Sequence, residues 1–426
     1  MKTRNALSAA ALLAVLAGGT FVTSSTADDG NKKLLARERP VHAPMFRAAF
    51  DDEPAEAFAA SNTELLAWLP LNSFPNDNAA GNDCWGYVSP SGREYAIMGL
   101  EKGFGFVEIT QPDAPVIVGY VEGPSSVWHD IKVVGHYAYG VSEGGAGVQV
   151  VDLSNIDNGE VRHVKNKSQA GHSTTHNIAA NTDSGYLYLC GANFANGGLV
   201  ALSIEDPENP TIVGAWSDMY VHDAQIVSYT EGKFAGREIA FCASGFGNGS
   251  GDTGLRIVDV TDKNNMHTIS TGFWENDQYS HQCWLTEDKQ YLYVNDELDE
   301  EAYGYTTRTR VFDVSDVENP VFVGNFSSGV DAIDHNLYVR DGLVFEANYR
   351  SGLRVFDASN PAEPTQIAYF DSYPSNDKAQ FNGAWSVYPF FPSGTVIVSD
   401  IERGLFVLKV DALSDAKAVA VSSIAK

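Results

Sequence analysis

Basic residues are scarce in this chain: 28 Lys and Arg stand against 55 Asp and Glu in 426 residues, a formal net charge of -27. Such an acidic surface repels phosphate backbones and anionic membranes, so nucleic acid is excluded as a general partner. No internal stretch approaches the roughly 18 consecutive apolar residues of a membrane helix, so no transmembrane segment is expected. Cysteine is nearly missing, with Cys84, Cys190, Cys242 and Cys283 the whole complement. Their spacing matches no zinc finger. Cys190 and Cys242 end equivalent strands of successive repeats, so a disulfide between them and buried free thiols are both open. Charged residues make up only 19% against 44% hydrophobic ones, which excludes a disordered chain. There is no Gly-x-Ser-x-Gly elbow, P-loop or His-Glu-x-x-His motif. The glycine-rich run from Gly245 to Gly254 joins two strands and opens no helix, so it reads as a loop, not a phosphate cradle.

What is present begins with a leader. Lys2 and Arg4 precede an apolar stretch from Ala6 to Ala17, and Ser25-Thr26-Ala27 offers small residues for cleavage. Residues 1–27 therefore predict a signal peptide, and the mature chain is expected to be secreted, periplasmic or at the cell surface. Residues 28–62, with Arg37-Glu-Arg-Pro40 and Asp51-Asp-Glu-Pro54, read as a charged linker. Residues 411–426 read as a small, polar tail without a membrane anchor.

Between them lies an internal repeat. Its clearest copies are Gly147-Val-Gln-Val-Val-Asp152-Leu-Ser154, Gly254-Leu-Arg-Ile-Val-Asp259-Val-Thr261, Arg310-Val-Phe-Asp313-Val-Ser315 and Gly352-Leu-Arg-Val-Phe-Asp357-Ala-Ser359. Weaker copies at Gly105, Gly198 and Gly404 bring the number to seven. Each alternates as a half-buried strand does, and Asp-x-Ser/Thr ends it with turn-forming acceptors. Further strands follow, often after a Pro turn, as in Pro115-Val-Ile-Val-Gly119. Four short strands per repeat predict an all-β, seven-bladed β-propeller over residues 63–410. The last unit stops one strand short, while the segment from Glu64 to Pro70 matches a fourth strand. The N-terminal strand should complete the last blade and close the ring.

The consensus resembles the LVIVD-repeat proteins of the choice-of-anchor B family over about residues 60 to 410. The resemblance rests on strings such as Asn82-Asp-Cys-Trp-Gly86, Trp128-His-Asp-Ile-Lys132, His222-Asp-Ala-Gln225, Asn295-Asp-Glu-Leu-Asp-Glu300, Ile333-Asp-His-Asn336 and Phe381-Asn-Gly-Ala-Trp385. It implies an exported propeller and brings no established activity. The family's varied C-terminal anchors are not visible in this sequence.

One register of the repeat carries chemistry. His129, His176, His222, His281 and His335 stand at or just before the innermost strand of five successive units, and Trp85 and Trp385 take that register in the other two. Around a propeller axis this predicts a ring of imidazoles at one channel mouth. Neutral imidazole binds zinc, copper or iron. The next strand ends in an acid in five units, Glu101, Glu143, Asp296, Glu346 and Asp400, natural partners for the second N–H of a metal-bound histidine. Residues 295–301 form a longer acidic loop able to add an oxygen ligand or hold calcium, although without the spacing of a calcium loop. Two other uses fit the same histidines: hydrogen bonds within and between blades, and metal-free ligand binding. Cys283, two residues from His281 and so on one face of an ideal strand, is a conceivable nucleophile.

Lys102, Arg350 and Arg403 share a loop position in units one, six and seven. Beside the tryptophans they can receive an anionic ligand group, or each can pair with a nearby acid. The tryptophans can stack a ligand or simply pack. Two functions follow: an exported binding or scaffold protein facing an unknown ligand or extracellular protein, and a metal-dependent hydrolase, lyase or oxidase using the histidines. Fold alone does not choose between them.

Overall fold

The computed structural model describes residues 28–245 and 253–413, so the leader, most of the glycine-rich loop and the end of the tail lie outside the described residues. Seven antiparallel sheets surround one axis. The first blade runs Gly81–Val88, Glu94–Leu100, Gly103–Glu108 and Val116–Glu122, and each later blade repeats the order outward from the axis. The innermost strand of each blade lies against that of the next, and Ala384–Tyr388 of the seventh lies against Gly81–Val88 of the first.

The repeat signature does what its chemistry predicts. Asp152, Asp259, Asp313 and Asp357 each accept the backbone N–H two residues on, from Ser154, Thr261, Ser315 and Ser359, at 2.8–3.0 Å. That bond turns the chain out of the third strand. All seven blades carry a bulge between third and fourth strands, which adds twist. Thr63–Leu69 pairs with Gly404–Val410 and is the fourth strand of the seventh blade, as the sequence predicts.

Polar side chains on the inner strands sew the blades together. Asp130 accepts the Ile178 N–H at 2.7 Å, Gln225 that of Leu285 at 2.7 Å, and Gln282 that of Leu337 at 2.5 Å. Near the axis the buried Lys132 ammonium lies 3.1 Å from Asp83 and 2.5 Å from Asp130, with the Trp85 ring centroid at 4.5 Å. All four cysteines are buried free thiols, so Cys190 and Cys242 are not bridged. A bulge between Ser280 and Cys283 breaks the alternation expected there. Cys283 Sγ points at the Phe241 carbonyl in the blade core, and burial raises its pKa, so it is no nucleophile beside His281.

Residues 28–62 differ from a free linker. They hold a helix, α1 (Asp28–Ala36), and two short strands, Phe46–Arg47 and Ala60–Ser61, which add fifth strands to the seventh and sixth blades. Of the charges in this segment, Arg37, Glu38 and Glu56 pair with Glu101, Arg350 and Arg403 of the blades. No helix among the described residues is long and apolar enough to cross a membrane.

Candidate functional site

Four of the five histidines meet at one mouth of the channel. His176, His222, His281 and His335 stack in sequence, with neighbouring ring centroids 4.4, 3.9 and 4.2 Å apart. Each comes from the start of the innermost strand of blades three to six, where the chain enters the axis from its loop.

The fifth departs. His129 packs edge-on against Phe104 of the neighbouring blade at 5.4 Å, with neither ring nitrogen hydrogen-bonded, and no contact joins it to the stack. Burial pushes its pKa down to about 4. In the unfolded chain the ring protonates near 6.5. The contribution of the neutral ring is therefore complete above about pH 6.5 and is lost as pH falls toward 4. His129→Phe is expected to flatten the decline of the urea midpoint between those pH values; a decline as steep as in the wild type would contradict the assignment.

The tryptophans separate as well. A bulge at Asn82 and Asp83 shifts the first blade's register, so Trp85 pairs with Ile97, deeper along its strand. There it packs against Tyr388 and Tyr338 at 5.0 and 5.8 Å, inside the channel. Trp385 alone reaches the mouth, edge-on to His335 at 5.3 Å.

Hydrogen bonds fix the imidazole tautomers. His222 Nδ1 donates to the His281 carbonyl at 2.8 Å, and His335 Nδ1 to the Trp385 carbonyl at 2.6 Å. His176 Nδ1 meets Glu143 at 2.6 Å. Nε2 of His222 and of His335, and both nitrogens of His281, have no hydrogen-bond partner. Burial, reinforced by neighbouring imidazoles and the Lys33 ammonium, holds the pKa of His222, His281 and His335 well below the usual value. These rings are neutral, with lone pairs available to a cation.

Of the five acids expected behind the histidines, only Glu143 makes that contact. Glu101 accepts the Ala79 N–H, Asp296 those of Gln278 and Tyr279, Glu346 bonds Thr309 and Asn348, and Asp400 accepts those of Glu402 and Arg403. These four acids fasten loops and strands. The acid that does reach the stack is Glu297, 3.7 Å from His281 Nε2 and 3.5 Å from His335 Nε2. One ligand atom from each of His281, Glu297 and His335 lies within 4.8 Å of the others. Tyr349 donates its hydroxyl to Glu297 at 2.6 Å from a backbone at φ 39°, a strained setting for an aromatic residue.

A lysine of α1 occupies this mouth. Lys33 Nζ lies 2.8 Å from Glu297, and 5.0 Å from the Trp385 ring centroid. Burial alone would raise the Glu297 carboxyl, but the Lys33 ammonium outweighs it and holds it below its usual range. Around α1, Lys32 pairs with Glu301 at 2.6 Å, Glu38 with Arg350 at 3.3 Å, and the Ala36 carbonyl accepts Asn382 Nδ2 at 2.7 Å. Arg403 forks onto Glu56 at 2.8 and 2.9 Å. Two of the three loop cations thus receive carboxylates from this chain's own N-terminal segment, while Lys102 caps the Asn76 and Asp77 carbonyls at 2.9 and 2.8 Å. Nothing in the repeat period marks Lys33, since it lies outside the blades. Glu297 stands one residue beyond the strand-end acid, within the 295–301 loop that the sequence marks as able to add an oxygen ligand, though no repeat position singles it out.

The donor set could hold a transition metal: two imidazoles with unpartnered Nε2, that of His335 oriented by its Nδ1 bond to a carbonyl, and a carboxylate between them. The seven antiparallel sheets closed into a ring define a β-propeller, with the histidine stack at one end of its channel. Residues 128–157, the first three strands of the second blade and their turn, match the LVIVD repeat. No curated protein matches the sequence. A functionally unknown protein from Desulfotomaculum acetoxidans is 13% identical, with 72% of this chain and 89% of that one covered at a TM-score of 0.50. A protein from Lactobacillus plantarum is 13% identical, with 75% and 88% covered at 0.51. Hydrazine synthase of Kuenenia stuttgartiensis is 11% identical, with 78% and 96% covered at 0.55. At these identities the likeness is one of fold.

Proposed function

We propose that this chain is an exported β-propeller binding protein of the choice-of-anchor B family, whose ligand site is the channel mouth and whose ligand there is a transition-metal ion. The reading rests on one observation: the buried Nε2 atoms of His281 and His335, unpartnered, beside a Glu297 whose Oε2 is unpartnered too. Buried polar atoms are ordinarily bonded, so a group of lone pairs converging on one place calls for a cation. Zinc, copper and iron all suit imidazole with one carboxylate. Export is supported by the basic start, apolar stretch and small residues of the leader. The enzyme alternative, a hydrolase, lyase or oxidase, draws on the same histidines. It is less favoured because His222, His281 and His335 are buried, which gives a substrate no approach while Lys33 is seated.

Tag-free protein isolated from its native compartment tests the reading by elemental analysis, followed by calorimetric titration with zinc, copper and iron. Stoichiometric metal in the wild type, lost in the double variant His281→Ala/His335→Ala, is the expected outcome. Protein that folds without metal and takes up none of the three ions sinks it.

A further inference from the structure

A second cluster lies on the same two chain segments that carry Glu297 and His335. Asp299 and Glu300 begin a short helix, α2 (Asp299–Tyr303), two residues beyond Glu297, and Asp334 immediately precedes His335. All three carboxylates are at most 1% exposed. Each commits one oxygen to the protein. Asp299 Oδ2 bonds Arg310, Glu300 Oε1 accepts the Arg308 N–H at 3.0 Å, and Asp334 Oδ2 accepts Asn295 Nδ2 at 2.8 Å. The other oxygen of each, Asp299 Oδ1, Glu300 Oε2 and Asp334 Oδ1, is buried with no hydrogen-bond partner. One oxygen from each residue lies within 4.8 Å of the others.

Charge does not balance there. Arg310 pairs with Asp299 and lies 3.9 Å from Asp334, one guanidinium against three carboxylates. Leaving buried carboxylates uncompensated costs several kcal/mol per ion, so either protons or a further cation must complete the site. We propose that Asp299, Glu300 and Asp334 bind a calcium ion. The donors are all hard oxygens, which disfavours zinc and copper. Oxygens that share a calcium at about 2.3–2.6 Å each lie no more than about 5 Å apart, and one oxygen from each of these residues meets that bound. Magnesium usually keeps several waters, and a site this buried has little room for them. Calcium here draws the 295–301 loop and the segment before His335 together.

The test uses the full chain, stripped with EGTA and titrated with calcium chloride by calorimetry and thermal unfolding. One calcium per chain and a raised Tm are expected. Glu300→Gln and Asp334→Asn, near-isosteric changes, should each weaken binding tenfold or more, and magnesium should bind at least tenfold more weakly than calcium. His281→Ala should leave calcium affinity unchanged, which separates this site from the channel mouth. Should both carboxamide variants fail to fold, terbium in the wild type decides. The Trp274 ring centroid lies 5.6 Å from the Arg310 guanidinium, so terbium emission excited through indole should appear and fall in Trp274→Phe. Stripped wild-type protein that neither binds calcium nor gives this emission overturns the proposal: the cluster then carries protons. Carboxamide variants that bind calcium like the wild type overturn it equally.

Discussion

Lys132→Met is expected to lose about 3–5 kcal/mol of folding stability, the range for removing one partner of a buried ion pair. The ammonium is the cation between Asp83 and Asp130, and its field also reaches Asp223, whose pKa burial raises to about 6. Methionine fills most of the volume but leaves these carboxylates facing each other in a low-dielectric interior. They are also structural, since Asp130 holds the Ile178 N–H of the next blade and Asp223 holds Gln282 at 3.1 Å. The variant should respond to pH in a telling direction. Carboxylates whose folded pKa is raised bind more protons folded than unfolded, so its stability should rise as pH falls from 7 toward 5. Urea unfolding at both pH values checks this. A variant within about 1 kcal/mol of wild type at pH 7 would mean that the aspartates are already protonated.

Lys33→Met is expected to tighten zinc binding at the channel mouth by ten- to a hundredfold. The ammonium sits 2.8 Å from Glu297, so a metal that takes Glu297 must first expel it. Two unit charges about 4 Å apart attract by about 4 kcal/mol at an effective dielectric of 20, and each 1.4 kcal/mol is tenfold in affinity. Solvation of the released ammonium returns part of that, which leaves the stated range. Calorimetric titration of wild type, Lys33→Met and Lys33→Met/Glu297→Gln checks it, with the double variant expected to lose the gain. Equal zinc affinity in all three would place any bound metal elsewhere.

The blades were legible because they repeat. Asp152, Asp259, Asp313 and Asp357 recur with their Ser or Thr at fixed distance, and the missing last strand could be matched to the segment from Glu64 to Pro70. The histidine register was legible for His176, His222, His281 and His335, which share both a sequence position and a loop-to-strand entry. It failed where local geometry departed from the period. A two-residue bulge carried Trp85 into the channel, and His129 turned against Phe104. Glu101, Asp296, Glu346 and Asp400 have the expected position but spend their oxygens on nearer donors. The N-terminal segment was the largest gap. Lys33, Glu38 and Glu56 find partners more than 250 residues away in sequence, and no short-range pattern encodes such pairing.

The seventh blade joins Thr63–Leu69 to strands that begin at Ala384. A chain emerging N-terminus first therefore exposes one lone strand until almost everything else has followed. The four blade strands of the other six units can assemble during that wait, each set from neighbouring residues, whereas the seventh must bridge a loop of more than 300 residues. Joining the ends and opening the chain between two other blades would make every sheet local, and such a rearranged protein should refold faster than the natural order.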